Sequence, residues 1–276
     1  MDYKLGKFKQ VIVEEMVQAL AQVSGVECII LGGSYARGAA DDHSDIDLGL
    51  YYFENRYPNI EHIREIARDF TIFEPRIYDV YERGPWKNGG GALITEAGVI
   101  EWILMSIDQM HRVIGEARQG RFTKDHPFLS ANYLAYPYYS TPLYDPRKTM
   151  VLLKQAVQEY PDPLRQALLR DLLQDARRSL HTGKKCAERD CVYGAIESLT
   201  SVVRDLTYIL FALNRVYFPT QKGSIKMTES FLIKPREYGT RINRLLTHPG
   251  RGSALMKSWN QLETITEEVA VLAHSK

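Results

Sequence analysis

The stretch Leu31-Gly32-Gly33-Ser34-Tyr35-Ala36-Arg37-Gly38, followed by Ser44-Asp45-Ile46-Asp47-Leu48, constrains this chain most. Val26–Leu31 is a short apolar run ending in two glycines, which reads as a strand entering a tight turn. Asp45–Phe53 reads as a second strand. Alternate residues of a strand face one side, so Asp45 and Asp47 project together while Ile46, Leu48 and Leu50 enter a core. Two carboxylates side by side repel. A divalent cation removes that penalty, and hard oxygen ligands suit Mg²⁺. By itself an Asp-x-Asp pair is more often a solvated polar face. A strand ending in Gly-Gly-Ser ahead of a helical turn also leaves backbone N–H groups that bind phosphate. Gly33 lets the backbone approach a ligand closely, and Ser34 can cap the helix or donate its hydroxyl to a phosphate. Alone, this too is an ordinary glycine turn with a serine cap.

The rest of the chain gives these two segments a setting. Leu5–Val23 has the periodicity of an amphipathic helix, and Ile60–Phe70 puts Ile63, Ile66, Ala67 and Phe70 on one helical face. Arg76–Glu82 alternates as a strand. Ala92–Thr95 and Val99–Ser106 read as a hairpin turned by Glu96-Ala97-Gly98, and Ile107–Arg118 as a helix. Residues 120–146 are loop-like, with Pro127, Pro137, Pro142 and Pro146 among Tyr133, Tyr136, Tyr138, Tyr139 and Tyr144. Helical periodicity then dominates, at about 147–159, 162–182, 190–213, 235–247 and 253–274. In the third of these helices Ile196, Leu199, Val203, Leu206 and Leu210 form one stripe of a bundle. The fold class expected is α+β, with a mixed sheet in a domain over 1–145 and an all-α helical bundle over 146–276.

Composition excludes several classes. In 276 residues, Lys and Arg number 35 against 34 Asp and Glu, so there is no global basic field to hold a long nucleic acid. The hydrophobic share of 45% and charged share of 25% are those of an ordinary globular protein, not a disordered one. Three cysteines, Cys28, Cys186 and Cys191, fit reduced thiols in a cytoplasmic protein better than a disulfide framework. The polar start of the chain shows no signal-peptide pattern, and no apolar run reaches the 18 residues of a membrane span. The seven histidines fall into no zinc-ligand spacing.

Gly33-Ser34, ten intervening residues, then Asp45-x-Asp47 in an apolar strand resembles the nucleotidyltransferase superfamily of DNA polymerase β. The resemblance implies a third carboxylate on a neighbouring strand. Glu101, in Val99-Ile100-Glu101-Trp102-Ile103-Leu104, and Asp79, in Arg76-Ile77-Tyr78-Asp79-Val80, are the two candidates. Glu101 is preferred, because a lone acid in so apolar a run is costly unless paired or metal-bound. The segment from Trp86 through Lys87 and Asn88 to Trp102 is similar to a branch of stand-alone nucleotidyltransferases that more often carry Asp at this position. A longer Glu arm shifts the metal or lets the group act as a base. The second half also resembles that branch, through Asp190-Cys191-Val192-Tyr193, the run Leu210 to Arg215, and Lys222-Gly223.

The resemblance implies transfer of a nucleoside monophosphate from an NTP, expected to be ATP, to a hydroxyl of a small molecule, with release of pyrophosphate. Two Mg²⁺ ions are expected on Asp45, Asp47 and Glu101, with Gly33 and Ser34 at the phosphates. Lys222 is the basic residue expected to reach them, with Lys226 and Arg215 as competitors. In size and two-domain plan the chain is similar to aminoglycoside and lincosamide adenylyltransferases. Two alternatives stand: an enzyme modifying a protein or RNA, as in toxin–antitoxin systems, and a catalytically inactive nucleotide-binding regulator. The built-in helical domain and the balanced charge favour a small acceptor over nucleic acid. A homodimer is compatible, and no membrane partner is expected. Arg37 is placed for a phosphate or for a salt bridge with Asp41 or Asp42. The tyrosines of 133–144 suit a substrate cleft or packing between domains equally.

Overall fold

Val13, Met16 and Leu20 recur at helical spacing, and Lys7–Leu20 coils into helix α1 with that stripe buried. The structure is a computed structural model that describes residues 5–86, 88–125 and 128–275; Lys87 and Pro127, named above, lie outside the described residues, as do Met1–Lys4. After α1 come strand β1 (Cys28–Leu31), a single turn α2 (Gly33–Ala36), strand β2 (Ile46–Tyr52) and helix α3 (Ile60–Phe70). Helix α3 starts where the Asn59 side chain accepts the His62 amide, and it buries Ile60, Ile63, Ile66 and Ala67. Strands β3 (Gly90–Thr95) and β4 (Gly98–Ser106) make the expected hairpin, and helix α4 (Ile107–Arg118) follows directly.

The main sheet has the order β3-β4-β2-β1-β7, where β7 is Thr141–Tyr144. Strands β2 and β4 are parallel and the other pairs antiparallel, so the sheet is mixed. One face carries Ile29, Leu31, Ile46, Leu48, Leu50, Leu93, Ile100, Trp102 and Leu104. All are buried in one core with Val13, Met16 and Leu20 of α1 and Ile63 and Ala67 of α3. At the far ends of β2 and β4 an ion cluster ties the two strands to α4. The Glu54 carboxylate accepts Arg112 at 3.1 and 2.8 Å, the Ser106 hydroxyl at 2.8 Å and the Tyr81 hydroxyl at 2.8 Å. Its bonds to Arg112 hold its pKa down to about 2.

Two sequence expectations change. Arg76–Glu82 is not a strand. It makes a single antiparallel bridge, Tyr78 to Gly90, and then turns. Tyr81 takes φ +62°, and the Asp79 and Glu82 backbones close a turn, which ends the alternation. Residues 120–146 are not simply a loop. They hold the small hairpin of β5 (Lys124–Asp125) and β6 (Phe128–Leu129), a 3₁₀ turn over Ser130–Leu134, helix α5 (Ala135–Tyr139) and β7. Proline lacks a ladder donor, yet β7 tolerates Pro142 because it is the edge strand, with Pro142 opposite Ile30.

The chain divides into two compact units, Met1–Glu116 with Thr123–Glu159, and Ala117–Phe122 with Tyr160–Lys276. The first unit runs past residue 145 because helix α6 (Thr149–Ala156) is bound to it. Met150 and Leu153 are buried, and the Lys154 ammonium donates to the carbonyls of Pro137, Tyr138 and Ser140 at 3.0, 3.0 and 2.7 Å. Arg147 and Thr149 both reach Glu27, beside β1.

The second unit is helical: α7 (Asp162–Glu188), α8 (Val192–Leu213), the short α9 (Ser224–Met227), α10 (Tyr238–Thr247) and α11 (Ser253–His274). Helix α8 is central, and every residue from Asp205 to Leu213 is buried. Among the described residues no helix is long and apolar enough to cross a membrane. Gly183 of α7 marks where α7, α8 and α11 meet. A Cβ there would lie 2.1 Å from the Trp259 ring and 2.6 Å from Ser198 Cβ. In an open helix Gly→Ala gains about 1 kcal/mol. Here Gly183→Ala reverses that sign and costs about 1–3 kcal/mol by overpacking. Urea unfolding of both proteins checks it; an unchanged or raised midpoint contradicts this packing.

Candidate active site

The site is built where β1 turns into α2. The Gly32 amide donates to the Asp47 carbonyl at 2.8 Å, which ties the turn to β2. Gly33 then takes φ +59°, a left-handed value that favours glycine. Its missing side chain also makes room for the acid. A Cβ on Gly33 would stand 1.6 Å from Asp47 Oδ2, so the carboxylate rests against the bare α-carbon. The cap of α2 is Gly32, with no side-chain bond, and Ser34 sits inside the turn. The expected capping role of Ser34 therefore does not hold, because the turn begins one residue before it. Among the described residues its hydroxyl bonds to no protein group, and Ser34 is half-buried beside Gly33.

The parallel ladder sets the second acid. Asp47 lies opposite Glu101, between the pairs Ile46–Ile100 and Leu48–Trp102. Cross-strand partners share a face, so both carboxylates leave the sheet on the side away from the α1 and α3 core. Across β4 from Glu101 the partner is Ala92, small and exposed. Asp79 lies in the turn after the Tyr78 bridge, its amide bonded to Glu82, and has no place in this ladder. Asp45 stands one residue before β2 begins and is exposed, while Asp47 is half-buried. Next to it, Ser44 is buried and bonds both the Asp41 amide and the Asp41 carboxylate, which shapes the loop entering β2.

Two further side chains, Tyr136 and Arg37, lie in the field of these acids. Burial raises the pKa of Tyr136, and Asp47 and Glu101 raise it further, so its hydroxyl sits in the field of both. Burial lowers the pKa of Arg37, while Tyr139 and Asp47 oppose that shift. Arg37 is thus within the field of Asp47. Tyr139, its pKa pushed up to about 12 chiefly by burial, interacts with Arg37 instead of the acids. The other tyrosines divide. Tyr133 is buried in an aromatic group with Trp86, Phe128 and Tyr136, at centroid distances of 5.6, 5.8 and 5.8 Å, and Tyr138 is exposed.

Lys222 belongs to the second unit. It is exposed in the connection before α9, next to Gly223 at φ +76°. Of its competitors, Arg215 pairs with Asp162 at 2.8 Å, and Lys226 is exposed on α9.

Asp47 and Glu101 offer hard carboxylate oxygens side by side, and Mg²⁺ is commonly held by one or two carboxylates completed by substrate phosphates. The Gly33 cradle leaves the Asp47 carboxylate room at that position. The donor chemistry therefore fits a divalent cation. Among the described residues no three His, Cys, Asp or Glu side chains gather into a ready metal cage, and Asp45 is exposed where Asp47 is half-buried.

Gly33→Ala tests this geometry. A left-handed non-glycine residue costs about 1–2 kcal/mol. The added methyl also displaces the Asp47 carboxylate. The expected outcome is a modest loss in urea stability together with loss of any activity that needs Asp47. A Gly33→Ala protein with native stability and activity contradicts the contact.

A family model described as polymerase beta, nucleotidyltransferase, matches residues 14–80, which carry Gly33, Ser34, Asp45 and Asp47. A second model, described as a domain of unknown function (DUF4037), matches residues 130–223. Among solved structures, a nucleotidyltransferase-like protein from Exiguobacterium sibiricum is similar at 10% identity and a TM-score of 0.44; the match covers 97% of this chain and 73% of that one. No curated protein matches the chain. Residues 14–80, which hold the Gly33–Asp47 contact, are thus similar to the polymerase β type of nucleotidyltransferase domain.

Proposed function

We propose that the protein is a Mg²⁺-dependent nucleotidyltransferase of the cytoplasm. It moves the nucleoside monophosphate of ATP to a hydroxyl of a small molecule and releases pyrophosphate. The observation that carries this reading is the juxtaposition of Gly33, Asp47 and Glu101.

In the reaction, the acceptor oxygen attacks the α-phosphorus in line, and the bond from that phosphorus to the bridging oxygen of the β-phosphate breaks. Gly33 allows the β- and γ-phosphates to come close to the backbone, and the Ser34 hydroxyl donates to them as charge builds on the leaving group. The Arg37 guanidinium, within the field of Asp47, adds a donor at the same end of the site. Asp47 and Glu101, joined by Asp45, would hold the divalent ions, and Mg²⁺ there would offset triphosphate charge and lower the pKa of the acceptor hydroxyl. In this reading Glu101 takes the acceptor's proton, and the Tyr136 hydroxyl, in the field of both acids, orients the two carboxylates. Lys222 supplies a further positive charge to the triphosphate.

Two predictions test the reading. Asp47→Asn keeps the side-chain volume and removes a charged ligand, so Mg²⁺-dependent pyrophosphate release falls at least about 10²-fold while the melting temperature holds. Glu101→Gln lowers turnover far more than nucleotide binding, whereas Asp79→Asn leaves both near wild type. The assay is pyrophosphate release with ATP, Mg²⁺ and a panel of hydroxylated acceptors, with EDTA as the metal-free control. Full turnover by Asp47→Asn overturns the site, and reversed effects at Glu101 and Asp79 move the third acid.

The Lys222 assignment has its own readout. One charge-assisted contact to phosphate is worth about 1.5–3 kcal/mol. Lys222→Ala then weakens binding of a non-hydrolysable ATP analogue roughly ten- to a hundredfold, and Lys222→Arg recovers part of it. Isothermal titration with Mg²⁺ measures both. Wild-type affinity in Lys222→Ala shifts the role to Lys226.

A further inference from the structure

Helix α7 ends in a backbone pattern that brings two thiols together. Asp190 takes φ +51°, its amide donates to the Ala187 carbonyl at 3.1 Å, and the Cys191 amide donates to the Cys186 carbonyl at 2.8 Å. This pair of bonds is a Schellman termination. It folds the residue after the left-handed position back over the last turn, so that its side chain meets the one five residues earlier. The contact is usually apolar. Here its two members are Cys186 and Cys191, both free thiols, the first half-buried and the second exposed.

Two further observations bear on the pair. A Cβ on Gly194 would stand 2.9 Å from Cys186 Sγ and 3.7 Å from Cys191 Sγ, so both sulfurs occupy the space beside one bare α-carbon. The direct backbone bond between the two cysteines keeps their α-carbons within the roughly 4.4–6.8 Å span a disulfide needs. The turn is also held from outside. The Asp190 carboxylate accepts the Gly252 amide at 3.0 Å and the Arg251 guanidinium at 3.3 Å. Closing the pair therefore asks for side-chain rotation rather than a backbone shift.

We propose that Cys186 and Cys191 are a redox modification site, closing reversibly into an intramolecular disulfide in the presence of a hydroperoxide. The exposed Cys191 sulfur attacks the peroxide; an S–O bond forms, the O–O bond breaks, and the departing oxygen leaves as water or alcohol. Cys186 sulfur then attacks Cys191 sulfur; the S–S bond forms, the S–O bond breaks, and the hydroxide leaves as water with the Cys186 proton. The pair gives up two electrons and the peroxide is reduced by two. A dithiol reductant reverses the reaction. The site rests on the α7–α8 turn alone and is independent of nucleotidyl transfer.

The test uses the full chain with hydrogen peroxide, followed by alkylation under denaturing conditions and peptide mass mapping. The expected result is a fall from three titratable thiols to one, Cys28. A peptide joining Cys186 to Cys191 appears, lighter by two hydrogen atoms, and dithiothreitol restores both thiols. Cys191→Ser retains the Cys186 thiol throughout. As a measurement that needs no oxidation, phenylarsine oxide, which bridges neighbouring thiols, binds the reduced wild type one to one and fails to bind Cys191→Ser. Cys191 sulfinic acid with Cys186 still alkylatable, a bond between two chains, or no binding of the arsenical overturns the proposal.

Discussion

The parallel ladder between β2 and β4 is the constraint on which the candidate site rests. Side chains alternate along a strand, so a slip of one residue would exchange the faces of an entire strand. Glu101 would then enter the core, and Trp102 would stand beside Asp47. The core forbids it, because Leu48, Leu50, Ile100, Trp102 and Leu104 fill one face completely. The far end is pinned separately by Glu54, which gathers Arg112, Ser106 and Tyr81. Most of that cluster lies near the surface, and its value is positional more than energetic. The two acids therefore owe their register to an apolar face and an ion cluster that take no part in chemistry.

Gly33 adds a local constraint to that global one. Its positive φ swings the chain away from β1, and its bare α-carbon receives the Asp47 carboxylate. Gly32 completes the link by donating to the Asp47 carbonyl, so one residue of β2 is held through both backbone and side chain. A carboxylate held this way loses little freedom when a cation or phosphate arrives, which favours binding. Ser34 follows on the same turn with its hydroxyl directed to no protein partner among the described residues, a disposition suited to a ligand.

Much of this was legible in the sequence wherever the signal was local. The spacing from Gly33 to Asp47 marked both the turn and the strand, and Ile60–Phe70 showed its helix through a clean apolar face. Glu101 was legible as an acid that an apolar strand would not otherwise tolerate. The failures were nonlocal. Pro142 disguised β7, because only the sheet order makes it an edge strand where a missing donor costs nothing. Arg76–Glu82 alternates like a strand, yet Tyr81 turns left-handed and the segment keeps one bridge. The electrostatic link of Tyr136 to the acids depends on folding of a distant segment, which no spacing in the sequence encodes.

The helical unit uses the same physical device for different ends. Gly183 leaves room for the Trp259 ring between three helices, and Gly194 leaves room for two sulfurs beside a helix start. A Cβ would meet the Trp259 ring at 2.1 Å in the first case and the Cys186 sulfur at 2.9 Å in the second, contacts that weigh against the helix cost of glycine of about 1 kcal/mol. The difference lies in what the space admits. An indole in the first instance is inert and adds packing alone. Thiols in the second are nucleophiles, and one of them faces solvent. A carboxylate in the third, at Gly33, is a ligand for hard cations. Close approach to a bare α-carbon thus builds a core, a thiol pair and an acidic site in one chain, and the chemistry follows from the side chain admitted.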